Sequence, residues 1–340
     1  MKRTGTASTR GLGATVLAVA LAAALLPGCS NDTTLTIYSG REEELIGPLL
    51  EKFASSTETE IDIRYGDSAD LALLIESEGD SSPADVFLSQ SPGSVGFLDE
   101  QGLLATVPAG LLEDVDERFR AGDGRWVGLS ARQRVLVYNT ELVDEGELPA
   151  SVLELTDASY RQKVGLAPTN GSFQDFVTAM RQIEGDDVAR RWLEGMVANE
   201  SPTYADNLSI VDAVARGEVP MGLVNHYYNY GYLAENPDAP TRNHIFPGSD
   251  VGSLLIVSTA SVLASTDQQE DAEAFVEYML SRDSEEYYAE EGFEYPLTNA
   301  VDAADELPPL DSLDAPDVDI DDLGEGLEAT TTMISQSGLL

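Results

Sequence analysis

The chain has 340 residues, with 61 Asp and Glu against 19 Lys and Arg, a formal charge of −42, two histidines and one cysteine. A field of that sign repels phosphate backbones and anionic headgroups, which argues against nucleic acid and lipid surfaces as partners. Its acids are spread along the whole length, a pattern that fits a saline habitat in which salt screens their mutual repulsion.

The first 28 residues carry Lys2, Arg3 and Arg10, an apolar run over 16–26 and no acid, the pattern of an export signal. The run ends Leu26-Pro27-Gly28-Cys29, and Cys29 is the sole cysteine. This resembles a bacterial lipobox, which implies cleavage before Cys29 and acylation of its thiol, with residues 29–33 as the tether. No stretch reaches the ~20 apolar residues of a membrane span. Acyl chains contribute about 0.8 kcal/mol per buried methylene, so two or three chains on Cys29 would anchor the protein to the outer face of the cytoplasmic membrane.

The mature chain, about 310 residues, suits two lobes of ordinary domain size. A strand is predicted over 34–38 (Thr-Leu-Thr-Ile-Tyr). A helix over 42–53 follows, with Leu45, Ile46, Leu49, Leu50 and Phe53 on one face. Then come a strand at 61–65, a helix at 69–77 and a strand at 85–88, an alternation that argues for an α/β fold with a mostly parallel sheet covered by helices. Further strands are predicted at 135–138 and 254–257, where the chain can cross between lobes. The interval between them holds a Thr-Asn-Gly-Ser turn, helical stretches including 188–197, and a helix carrying Ile210, Val211 and Val214. After a Gly217-Glu218 turn comes a strand at 221–224. Ala272, Phe275, Val276, Met279 and Leu280 mark another helix. Residues 302–328 hold eleven acids and no base, read as an acidic, partly extended segment; Asp317, Asp319, Asp321 and Glu328 have calcium-loop spacing, but Asp322 stands where the loop's glycine belongs.

Four of thirteen tyrosines fall within residues 227–232, the first two adjacent. A phenol with a pKa of about 10 is a poor ligand at neutral pH, yet a small, highly charged cation can displace its proton. Ferric iron suits such hard oxygens. Tyr227 and Tyr228 begin where the 221–224 strand ends, the usual ligand position in open α/β sheets. A second pair, Tyr287-Tyr288, lies in an acidic segment with the spacing of an amphipathic helix and reads as packing.

In order and spacing, several segments resemble the ferric-ion-binding proteins of bacterial ABC importers, within the periplasmic-binding-protein superfamily. They are Tyr38-Ser39-Gly40-Arg41, Pro83-Ala84-Asp85-Val86-Phe87, the run from Arg132 to Asn139, Asn170-Gly171-Ser172-Phe173, Tyr204-Ala205-Asp206-Asn207, Asn225-His226-Tyr227-Tyr228 and Glu294-Tyr295-Pro296-Leu297. The resemblance implies two α/β lobes joined by hinge strands around a cleft, with 34–133 and 257–301 in one lobe and 134–256 and 302–340 in the other. It also implies a monomeric receptor, not an enzyme, that delivers Fe3+ to a membrane permease. Tyr227 and Tyr228 map onto its iron ligands. Asn170, Gly171 and Ser172, with Asn207 and Asn225, map onto the residues that hold a synergistic anion such as carbonate or phosphate.

Two positions depart from the family. Glu42 stands where many members carry a histidine ligand; it is either a replacement oxygen ligand or, with Glu43 and Glu44, a partner for the helix dipole. Gln90 stands where they carry a carboxylate and is not assigned to iron. Arg41 and Arg132 are candidates to grip the anion; the alternative is a surface or interlobe salt bridge. Tyr65 is a further candidate phenolate. His226 is kept outside the metal set on the expectation that, in a strand, it points away from Tyr227. The rival readings are a receptor for an organic or oxyanion solute (sugar, polyamine, thiamine, phosphonate) and an exported hydrolase, the latter weakened by the lack of a Gly-x-Ser-x-Gly elbow.

Overall fold

The computed structural model describes residues 34–57, 59–298, 300–316, 318, 323 and 326–340. The export signal, Cys29, and Asp317, Asp319 and Asp321 lie outside the described residues.

The first lobe starts as the apolar periodicity predicts. Strands β1 (Leu35–Ser39), β2 (Ile61–Tyr65) and β3 (Val86–Ser89) alternate with helices α1 (Glu43–Thr57), α2 (Ser68–Glu78) and α3 (Pro92–Glu100), and a short α4 (Ala109–Leu112) follows. β1 pairs in parallel with both β2 and β3. Helix α1 buries Ile46, Leu49, Leu50 and Phe53, each contributing about 1.5–3 kcal/mol by removal from water.

Strand β4 (Val127–Asn139) then runs for 13 residues, buried throughout. The predicted strand at 135–138 is only its last third. Ser130, Arg132, Gln133 and Arg134 hide the rest, because polar residues there break the apolar run of a buried strand. The chain continues through β5 (Val164–Gly165), α5 (Gly171–Glu184), α6 (Asp186–Ala198), α7 (Asn207–Ala215), β6 (Met221–Asn225), α8 (His226–Glu235) and β7 (Thr241–His244). After β8 (Leu255–Val262) come α9 (Gln269–Met279), α10 (Arg282–Glu290), β9 (Tyr295–Pro296) and α11 (Leu327–Ser337). The sheet order is β2-β1-β3-β8-β4-β6-β5, with β7 and β9 also on β4.

β4 and β8 are the crossing strands. The first half of β4 pairs with β8 and β9, and its second half with β6 and β7, all antiparallel. Val127, Leu129 and Ala131 belong to the first lobe's core, together with β1–β3, Val257, Ala260 and Phe275. Beyond the crossing, the period of two sends Leu136 and Tyr138 to a core with Phe173, Phe176 and Trp192. Val135 and Val137 face the opposite side, with Ile210, Val214, Tyr227 and Tyr228. The acidic C-terminal segment ends in a helix: α11 buries Thr330, Met333 and Ile334, and Thr330 bonds Thr178 of α5 at 2.7 Å.

Candidate metal centre

Asn225 ends β6 and N-caps α8, so Tyr227 and Tyr228 occupy the first turn of a helix at the carboxyl end of a strand. They are 2 % and 4 % exposed, with stacked rings 4.2 Å apart. Both hydroxyls reach one group from the opposite lobe, the carboxamide of Gln90 just past β3, at 3.1 and 3.3 Å. The Tyr228 hydroxyl also donates to Glu42 Oε1 at 3.3 Å. Two candidate phenol donors therefore meet at Gln90, a residue that sequence reasoning set aside as a ligand, and Glu42 from the first lobe joins them through Tyr228.

The protein alone keeps both phenols protonated and makes the Glu42 carboxyl harder to ionise than usual. Burial pushes the Tyr227 phenol up to about 12, helped by the charge of Glu294 and opposed by Arg132. Burial, then Tyr227 and Glu42, holds Tyr228 well above an ordinary phenol. The Glu42 carboxyl is raised by burial and by Asp206. Only a strong cation gains enough from the oxyanions to displace such protons. Among the described residues no group of three His, Cys, Asp or Glu can hold a metal, so phenol oxygen is what this cleft offers one.

Beside the phenols lies a polar cradle. Asn170 caps α5, its Oδ1 accepting from the Ser172 N–H at 3.1 Å and the Ser172 hydroxyl at 2.6 Å, while Asn207 Nδ2 donates to it at 3.3 Å. On one face of β4, alternate residues Ser130, Arg132 and Arg134 line the crossing. Arg134 Nη1 donates to Ser172 Oγ at 3.1 Å and Asn225 Oδ1 at 3.3 Å, and Arg132 Nη2 donates to the Gln90 carbonyl. Both guanidiniums are buried, and neither has a carboxylate partner among the described salt bridges. Arg132 Nε and Nη1, Arg134 Nε and Nη2, and Asn225 Nδ2 are buried donors with no partner among the described residues. Burial, then the positive charge of Arg132, lowers Arg134 to about 9. Buried cations with free donors are poised for an anion. Arg134 was missed by sequence reasoning, although its spacing of two from Arg132 on a strand was the available signal.

Arg41 differs from Arg132. Its two Nη atoms grip Glu294 at 2.5 and 3.2 Å, with both residues buried, and Ser130 also donates to that carboxylate. Burial alone would lower the Arg41 pKa, yet Glu294 outweighs it and the value is raised. Burial alone would raise Glu294, yet Arg41 holds it below the usual carboxylate range. This guanidinium is already neutralised, and the pair is interior, not at the surface. The Tyr65 hydroxyl lies beside Gly47 of α1, and no described hydrogen bond joins it to either phenol. The strand expectation for His226 is corrected: it is the first residue of α8, its Nδ1 accepts from the Gln133 N–H at 3.0 Å, its ring lies 5.2 Å from Tyr295, and burial lowers its pKa to about 4. It is a neutral packing group.

Two lobes on crossing strands, with ligand-type side chains converging between them, define a solute-binding protein and not an enzyme. The chain belongs to the bacterial extracellular solute-binding proteins, whose family model matches residues 81–320. It is 31 % identical over 323 residues to the major ferric iron-binding protein of Neisseria meningitidis serogroup A, covering 94 % of this chain and 97 % of that one. It is 29 % identical to the Fe(3+)-binding periplasmic protein of Serratia marcescens, covering 92 % of each. The structure of iron-bound HitA from Pseudomonas aeruginosa superposes with a TM-score of 0.86 at 34 % identity, over 90 % of this chain and 99 % of that one.

Proposed function

We propose that the protein is an extracytoplasmic receptor that captures ferric iron with a small synergistic anion and delivers it to an ABC importer. The observation that carries this reading is the convergence of two buried phenol hydroxyls on one point between the lobes. Two phenolates and the Glu42 carboxylate carry three negative charges, matching Fe3+. Arg132 and Arg134 then have no salt-bridge partner among the described residues, and a dianion such as carbonate or phosphate would supply one. Asn170, Gly171, Ser172, Asn207 and Asn225 orient that anion at the N-terminus of α5. Arg41 stabilises the lobe through Glu294 and supports the site without gripping the anion. Lobe closure by hinge motion excludes water from the metal. Release follows reduction, which lowers the metal's charge, or protonation of the phenolates. In this reading the mature chain is a monomer tethered through acylated Cys29.

Adding ferric citrate to the protein is expected to produce a visible phenolate-to-iron charge-transfer band. The Tyr227→Phe, Tyr228→Phe double variant is expected to lose it. Full retention of the band in that variant overturns the ligand assignment.

A further inference from the structure

Asp175, on the second turn of α5, reaches out of its own lobe into the other. Its Oδ1 accepts from the Ser91 hydroxyl at 2.6 Å and from the Gly93 N–H at 3.3 Å. Ser91 is the N-cap residue of α3 and makes no side-chain cap of its own. The first N–H groups of a helix lack intrahelical partners and favour a negative charge. Helix α3 in one lobe is thus capped by a carboxylate from the other. The fit is close: a Cβ on Gly93 would lie 2.8 Å from Asp175 Oδ1, and a Cβ on Gly171 would lie 3.1 Å from Ser91 Cβ. Asp175 is 1 % exposed and its Oδ2 is buried with no partner among the described residues, so separating the lobes would return the carboxylate to water and uncap α3.

We propose that Asp175 is a positioning residue that clasps the lobes shut, so that its bond to Ser91 and Gly93 sets how long bound metal is retained. It touches none of the proposed iron donors, and it acts by holding Gln90, next to Ser91, against the phenols. The contacts stand by themselves; the retention readout rests on the ferric-receptor reading.

The test uses the full chain loaded with ferric citrate. Iron is withdrawn by excess chelator and followed by loss of the visible band, and the radius of gyration is read by small-angle X-ray scattering with and without iron. In Asp175→Asn the band position is expected to stay unchanged, since the ligands are intact. Iron should leave about twofold to tenfold faster, because the Asn oxygen still accepts but carries no charge toward the N-terminus of α3, and the loaded protein should be more open. Ser91→Ala should accelerate release too, and adding it to Asp175→Asn should cost less than the sum of the two changes made alone, because both weaken the same contact. Gly93→Ala, which leaves the carboxylate in place but wedges the contact, should act in the same direction and serves if Asp175→Asn folds poorly. A wild-type release rate and radius in both Asp175→Asn and Gly93→Ala, or full additivity of Asp175→Asn and Ser91→Ala, overturns the clasp. If the wild-type protein gives no band, the iron reading fails instead, and the radii of wild-type and Asp175→Asn protein without iron decide the clasp alone.

Discussion

The chain contains the same dipeptide twice, and the two copies have opposite fates. Tyr227-Tyr228 opens α8 and Tyr287-Tyr288 lies within α10. In the first pair the rings stack and both hydroxyls converge on Gln90 across the lobe boundary. In the second the rings stand edge to face, 6.5 Å apart, and each hydroxyl donates separately to a backbone carbonyl, Tyr287 to Leu45 and Tyr288 to Met279. Burial is not what separates them, since Tyr288 is as hidden as Tyr227. The partner decides. A hydroxyl given to a carbonyl within one lobe is packing, whereas two hydroxyls that share a side-chain carboxamide at a lobe boundary are available to a ligand.

The sharpest way to break this comparison is to remove the hydroxyls of each pair in turn. Tyr287→Phe with Tyr288→Phe should keep the full ferric band that the double change at Tyr227 and Tyr228 abolishes. Equal loss from both doubles would mean that the distinction drawn from partners is false.

A second contrast is in stability. Tyr288 is fully buried in the first lobe's core, so Tyr288→Ala is expected to destabilise the protein by about 3–5 kcal/mol, read by chemical denaturation. The band position of the surviving folded protein should not move. A shift in the band would place Tyr288 in the site.

Both pairs were visible in the sequence, and so was the bland role of the second, because helical spacing and acidic flanks are local signals. The strand and helix order from β1 to β3 and the turn before α5 were legible for the same reason. What brings Gln90 to the phenols was not: Gln90 and Tyr227 are 137 positions apart, and only the closed cleft joins them. Arg132 was named but Arg134 was not, because a buried strand with polar alternate positions looks like a loop. Asp175 was invisible, since an acid two residues after Phe173 reads as a solvated helix position until the other lobe's helix is known to face it. His226 was placed in a strand although Asn225, a favoured N-cap residue, was the available signal for the switch to a helix.

Proton release sharpens the comparison further. Because burial holds Tyr227 near 12 and Tyr228 higher than an ordinary phenol, both are protonated in the metal-free protein throughout the neutral range. Iron binding should expel about two protons from them, and affinity should rise with pH below those values and weaken on acidification. Titration in lightly buffered solution measures the protons, and the count should drop by about one in Tyr227→Phe. It should be unaffected by Tyr287→Phe. No proton release in the wild type would mean that the phenols do not bind as phenolates.

The smallest effect is the most diagnostic of the two roles. Tyr288→Phe strands the Met279 carbonyl in the core and should lower stability by about 1–3 kcal/mol, the usual cost of a buried acceptor left unpaired. Tyr227→Phe in the metal-free protein leaves Gln90 still bonded to Tyr228 and strands no backbone group, so its change should stay below that of Tyr288→Phe. Denaturation midpoints of the two single variants without iron would show it. A hydroxyl retained at a buried position where it adds little to stability is there for what it binds, and an equal or larger loss in Tyr227→Phe would instead make the first pair structural like the second.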